Sequence, residues 1–85
     1  MRLPKSDFIC LVVVAVDLDD RTVHFFNEDL GWDCQESQCF PYFEPKHPEW
    51  ALRHALPPLP NGHRWERRVV EFDITEKRLV AAVEI

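Results

Sequence analysis

Glycine is scarce in this 85-residue chain, which has only Gly31 and Gly62. A Gly-rich oxyanion loop is therefore missing, and with it the usual backbone cradle for acyl-transfer chemistry. Positive charge is short as well: ten Lys and Arg face fifteen Asp and Glu, a net charge of −5. An acidic surface repels phosphate backbones, so direct nucleic-acid binding is not expected. Long apolar runs are lacking. The longest, Phe8 to Val16, has nine residues, far below the ~20 needed to span a bilayer, so no membrane association is expected. The start of the chain, with Arg2 and Lys5 before that run, faintly resembles a secretory signal. Asp7 interrupts it, acids follow from Asp17, and no small-residue cleavage site is present. Three cysteines argue against a closed disulfide framework, and no Cys-x2-Cys pair is present. The expectation is a cytoplasmic, reduced protein. Neither an internal repeat nor a low-complexity tract interrupts the chain, so residues 1–85 read as one small domain.

What is present belongs to a folding chain. Hydrophobic residues make up 46% and aromatics 12%, unlike disordered segments, which combine low hydrophobicity with high net charge. The charge is uneven: residues 1–50 carry −6 and residues 51–85 carry +1. Phe8 to Val16 is apolar on both alternating faces and rich in β-branched residues, as in a central strand covered on both sides. Leu18-Asp19-Asp20-Arg21 supplies turn chemistry, and Thr22 to Phe26 returns as a second strand. Near the end, Val70, Phe72 and Ile74 alternate with Glu71 and Asp73. Thr75 to Arg78 then makes a glycine-free turn and Leu79 to Ile85 forms the partner strand. Between the hairpins, Pro48 to about Leu56 predicts a short helix. Pro48 suits the first position, Glu49 favours the N-terminal end, and Pro57-Pro58 stops it. Residues 27–46 and 57–64 read as long, proline-stiffened loops. The fold class is α+β: an antiparallel sheet of about four strands, in two hairpins, with one short helix packed on it. The alternative is a more barrel-like domain with residues 39–44 as a fifth strand.

The stretch from Trp32 to Trp65 holds all three Trp, two Cys, three His and six Pro, so site chemistry is sought there first. Cys34 and Cys39, with His47 and His54 downstream, are the residue types of a zinc site. His47 and His54 are seven residues apart, ~10 Å along a helix, too far for one ion if both are helical. The preferred expectation is no cofactor, with zinc as the alternative. Cys10 reads as a core residue. Val14 to Asp19 resembles the start of a haloacid-dehalogenase-type phosphatase site, an apolar strand ending in Asp-x-Asp, which implies Asp17 as nucleophile and Asp19 as general acid. The resemblance covers six residues. Asp20 and Arg21 stand where that family favours Gly and Thr, and the chain is too short for its parallel sheet, so a hairpin turn is the reading. Cys39, His54 and Glu36 lack any recognisable nucleophile motif. Pro57-Pro58-Leu59-Pro60 has a P-x-x-P spacing without the flanking base of an SH3 ligand, and reads as a stiff connector. Arg64, Arg67 and Arg68 with Trp65 balance neighbouring carboxylates.

So many large rings in a small domain imply that some stay exposed for a partner. The expected function is a non-enzymatic, acidic protein-binding module. By size and charge it is analogous to inhibitors, immunity proteins or anti-defence proteins that occlude a partner's basic or nucleic-acid-binding surface. The expected face is Asp29, Trp32, Asp33 and Glu36, and a homodimer is compatible with the sequence. The competing expectations are a zinc-stapled structural domain, and a small enzyme or ligand-binding subunit whose site forms in an oligomer.

Overall fold

The structure is a computed structural model and describes residues 8–85; the basic start with Arg2 and Lys5 lies outside the described residues. Strands β1 (Ile9–Asp17), β2 (Thr22–Asn27) and β3 (Gly31–Cys34) are followed by a 3₁₀ turn (Glu36–Gln38). Helix α1 (Glu49–His54), β4 (Trp65–Asp73) and β5 (Arg78–Leu79) complete the chain. All pairings are antiparallel, in the order β3-β2-β1-β4-β5. The α+β class holds, with five strands where about four were expected. No helix among the described residues is long and apolar enough to cross a membrane.

β1 is central, and Val12 to Val16 are completely buried, which is why its sequence is apolar on both alternating faces. One face carries Leu11, Val13, Ala15 and Asp17; the other carries Cys10, Val12, Val14 and Val16. The first packs against Phe26, Tyr42, Ala51 and Ala55, with Trp32, Phe40, Leu52 and Val69 around them. α1 lies on this side. The second packs Cys10 and Val12 with Cys39 and Phe72, flanked by Phe25, Val70 and Leu79.

Helix α1 is shorter than the predicted Pro48–Leu56, because Pro48 serves as its N-cap and Ala55 turns extended at ψ 97°. Its carboxyl end is closed from the sheet: Arg67 Nη1 donates to the carbonyls of Ala51 (3.3 Å) and Ala55 (3.0 Å). The "long loop" 27–46 is more ordered than its proline content suggests. Asn27 Oδ1 accepts from the N–H of Asp29 (2.8 Å) and of Leu30 (3.1 Å). Gly31, at φ 80°, completes the reversal into β3. The alternative fifth strand at 39–44 amounts to one bridge, Leu11 with Tyr42, whose two main-chain bonds measure 2.8 and 2.7 Å.

Two departures change where side chains point. In β3, Phe25 faces Cys34 and Phe26 faces Trp32, so Asp33 is an extra residue, a bulge, held at φ 64°. Trp32 and Cys34, two apart, therefore reach opposite faces of the sheet. At the other end, the predicted strand Leu79–Ile85 shrinks to two residues. Val80 N–H makes the last ladder-like bond, to Glu71 O (3.1 Å). Ala81 to Val83 then line a depression with Val23 and Phe25, covering an apolar face that a longer β5 would have left bare.

The Arg67 cap generates a prediction. Arg67→Met leaves two helix-end carbonyls without their charged donor and costs about 1–3 kcal/mol. Urea unfolding followed by tryptophan fluorescence measures it, with a parallel loss of helical circular dichroism.

Candidate functional site

At the end of β1 the apolar run stops at Asp17, a carboxylate only 1% exposed and the buried charged residue of the described chain. A buried carboxylate needs partners, and this one has three. Asp17 Oδ1 accepts from the N–H groups of Asp19 and Asp20, each at 3.0 Å, which forms the β1–β2 turn. Asp17 Oδ2 accepts from His63 Nδ1 at 2.8 Å, across 46 residues of sequence. Asp20 Oδ2 lies 3.8 Å from the same nitrogen. Asp19 completes the seam: its carboxylate accepts from the Arg64 N–H at 2.6 Å and from the guanidinium at 3.1 and 3.3 Å. Leu18 N–H donates to Arg64 O at 2.8 Å. The Asp-x-Asp sequence is thus an antiparallel hairpin turn sewn to the start of β4, as the sequence reading held against the phosphatase resemblance.

The hydrogen bond from His63 is the main reason the Asp17 carboxyl sits below its usual range, and the same bond raises the His63 imidazole above its usual value. Ligand atoms of Asp17, Asp20 and His63 lie within 4.8 Å of one another, the grouping among the described residues with the donors for a divalent cation. A cation there would compete with the Asp17–His63 hydrogen bond for the same ligand atoms. In the structure these groups make the hydrogen bonds that fix the turn.

The four alternative zinc ligands do not gather. His47 pairs with Glu44 at 3.4 Å on the surface, and the His54 ring lies against Trp50 with centroids 5.7 Å apart. Cys34 is half-buried, Cys39 is buried, and both are free thiols. Burial, then the neighbouring Cys34, Glu36 and Cys10, push Cys39 up to about 12. Cys10 and Cys34 are raised too, chiefly by burial. Each shift leaves less thiolate at neutral pH than a free cysteine has.

The expected partner face divides. Asp29 is exposed in the β2–β3 turn, and the Asp33 side chain is 53% exposed, pairing with His24 Nδ1. Trp32 turns inward: its ring lies 4.8 Å from that of Phe26, and its buried Nε1 has no hydrogen-bond partner among the described residues. Glu36 is structural, its Oε2 accepting from Leu79 N–H at 2.7 Å, which ties β5 to the 3₁₀ turn. Sequence reasoning missed His63 as a partner of Asp17. The available signal was a lone acid ending an otherwise apolar strand, which has to find a donor somewhere. Comparisons with family models, with curated protein sequences and with solved structures match nothing.

Two outcomes follow from this chemistry. His63, raised in the fold, stabilises fully below its ordinary 6.5 and loses that contribution as pH rises through the raised value. Asp17, lowered in the fold, stabilises fully above its ordinary 3.8 and loses that contribution as pH falls through the lowered value. The stability difference between the wild type and Asp17→Asn, measured by urea unfolding across pH, is therefore widest from about pH 4 to about pH 6.5 and narrows on both sides. Second, a disulfide reagent at pH 8 labels all three thiols more slowly than free cysteine, Cys39 slowest, until denaturant is added.

Proposed function

We propose that this chain is a non-enzymatic protein-binding module that docks its acidic β2–β3 hairpin on a basic protein surface. The supporting observation is the hairpin itself. Leu30, 60% exposed, stands at its tip beside Asp29 and ahead of the exposed Asp33, while Phe26 and Trp32 pin its base to the core. An apolar contact ringed by acids, on a rigid support, suits a basic partner: the charges steer and orient while the leucine is desolvated. Trp32 and Glu36 drop out as contacts and become the residues that hold the face in place. The partner class is a protein whose basic surface normally meets nucleic acid, which the module occludes in the manner of an inhibitor, immunity or anti-defence protein. Such a protein acts in the cytoplasm, where three unpaired thiols stay reduced.

The test uses Asp29→Lys with Asp33→Asn, the latter chosen because Asn tolerates the left-handed backbone at that position. Proteins captured by the immobilised chain from a heparin-retained fraction are titrated against both forms. The variant is expected to bind roughly tenfold or more weakly at low salt, with the gap closing as salt rises, and DNA is expected to compete. Capture that is indifferent to both the substitutions and DNA would remove this reading.

A further inference from the structure

Antiparallel pairing makes alternate residues turn both main-chain polar groups toward one neighbour. In β4 the even-numbered residues face β1: Phe72 opposes Cys10, Val70 opposes Val12 and Arg68 opposes Val14. The same phase continues beyond the strand ends, where Ile74 N–H bonds Phe8 O and Leu18 N–H bonds Arg64 O. The odd-numbered residues therefore face outward. Asp73 and Glu71 spend their outward carbonyls on Lys77 and Val80, and β5 pairs only with Phe72 and Asp73. Trp65, Arg67 and Val69 have no main-chain partner on that side among the described residues. The result is an extended edge of five residues with its N–H and C=O groups open, the situation that natural sheets usually cover or disrupt. The opposite edge of the sheet is disrupted, because Asp33 breaks β3 with its left-handed bulge.

We propose that two copies of this chain associate through the β4 edge, antiparallel about a two-fold axis at Arg67, joining their sheets into one. This register engages only the open groups. Trp65 meets Val69 of the second copy, Arg67 meets Arg67, and Val69 meets Trp65, each as a mutually hydrogen-bonded pair. Between them Glu66 stands opposite Arg68 and Arg68 opposite Glu66. Within one chain Arg68 already bonds Glu66, and its Nη1 also donates to the Glu84 carbonyl, so at the axis the four side chains form an alternating square of charge on one face, bordered by the carboxyl-terminal segment. On the other face, a ring meets a β-branched side chain twice, a favourable cross-strand pair.

The one like-charge encounter is relieved in advance. Each Arg67 guanidinium is drawn off the axis by the Ala51 and Ala55 carbonyls and lies 5.3 Å from the centroid of its own Trp65 ring. Leu56, 68% exposed, directly follows Ala55 and so supplies apolar surface close to the Arg67 anchor. Registers shifted by two residues toward β5 would take Glu71, whose carbonyl Val80 already occupies.

Sedimentation of the intact chain from about 1 µM to about 1 mM, with amide exchange of Trp65, Arg67 and Val69, tests the proposal. The mass is expected to double with concentration as those three amides become protected. Glu66→Arg and Arg68→Glu singly are expected to weaken association about tenfold, because each turns two attractive pairs into repulsive ones. The combined exchange restores it, with circular dichroism reporting that each variant is folded. A mass that stays monomeric overturns the proposal. So do dimers indifferent to the single reversals, and amides already protected in the monomer, which would mean that the chain's own carboxyl-terminal residues or another element fill the edge.

Discussion

A strand that is apolar on both faces has to be covered twice, and 85 residues leave little chain for the task. Much of the fold follows from that demand made by β1. One face takes the helix and most of the large rings. The other takes Cys39 and Phe72, with the chain after Leu79 bent across Val23 and Phe25. β2 and β4 supply its hydrogen bonds, and the remaining segments are short because their role is to lie over one face or the other.

The parts of this plan that depend on local chemistry were legible in the sequence. The double-sided run of β1, the aspartate turn after it, the alternation in β4 and the proline-bounded helix each carry their signal within a few residues. What escaped was decided across the chain. β3 was invisible because its four residues, Gly31 to Cys34, have no clean alternation: the bulge at Asp33 destroys the period that would have announced it. The last strand was overestimated because Leu79 to Ile85 has the composition of a strand, yet an uncovered face competes for the same side chains. His63 was unreadable as a partner of Asp17 because nothing near either residue refers to the other.

The same distinction separates the site residues. Asp29 and Asp33 were found as exposed acids because acidity and a turn are local properties. Trp32 and Glu36, in the same acidic, aromatic segment, are half-buried, one with its ring against Phe26 and the other with its carboxylate bonded to the Leu79 N–H. An aromatic or acidic residue in a long loop carries no mark of whether it faces solvent or the core, since both uses favour the same side chains. The Cys and His residues of the zinc alternative lie apart for a related reason. Cys34 is drawn toward the Cys39 side of the sheet by strand register, while His47 sits in the turn before α1 beside Glu44 and His54 ends α1 against Trp50.

The Asp33 bulge has a consequence for how such a chain can change. Side chains in a strand obey parity: odd positions belong to one layer and even positions to the other. One inserted residue reverses that parity between Trp32 and Cys34, so a single short edge strand feeds a ring to one layer and a thiol to the other. Straightening the strand at its present length would put both on one face, sending a sulfur toward α1 or an indole toward Cys39, whereas deleting Asp33 would leave Trp32 opposite Phe26 and Cys34 opposite Phe25. At the present length it is therefore the left-handed backbone of Asp33 that keeps the two layers apart, a conformational demand placed on an exposed edge strand.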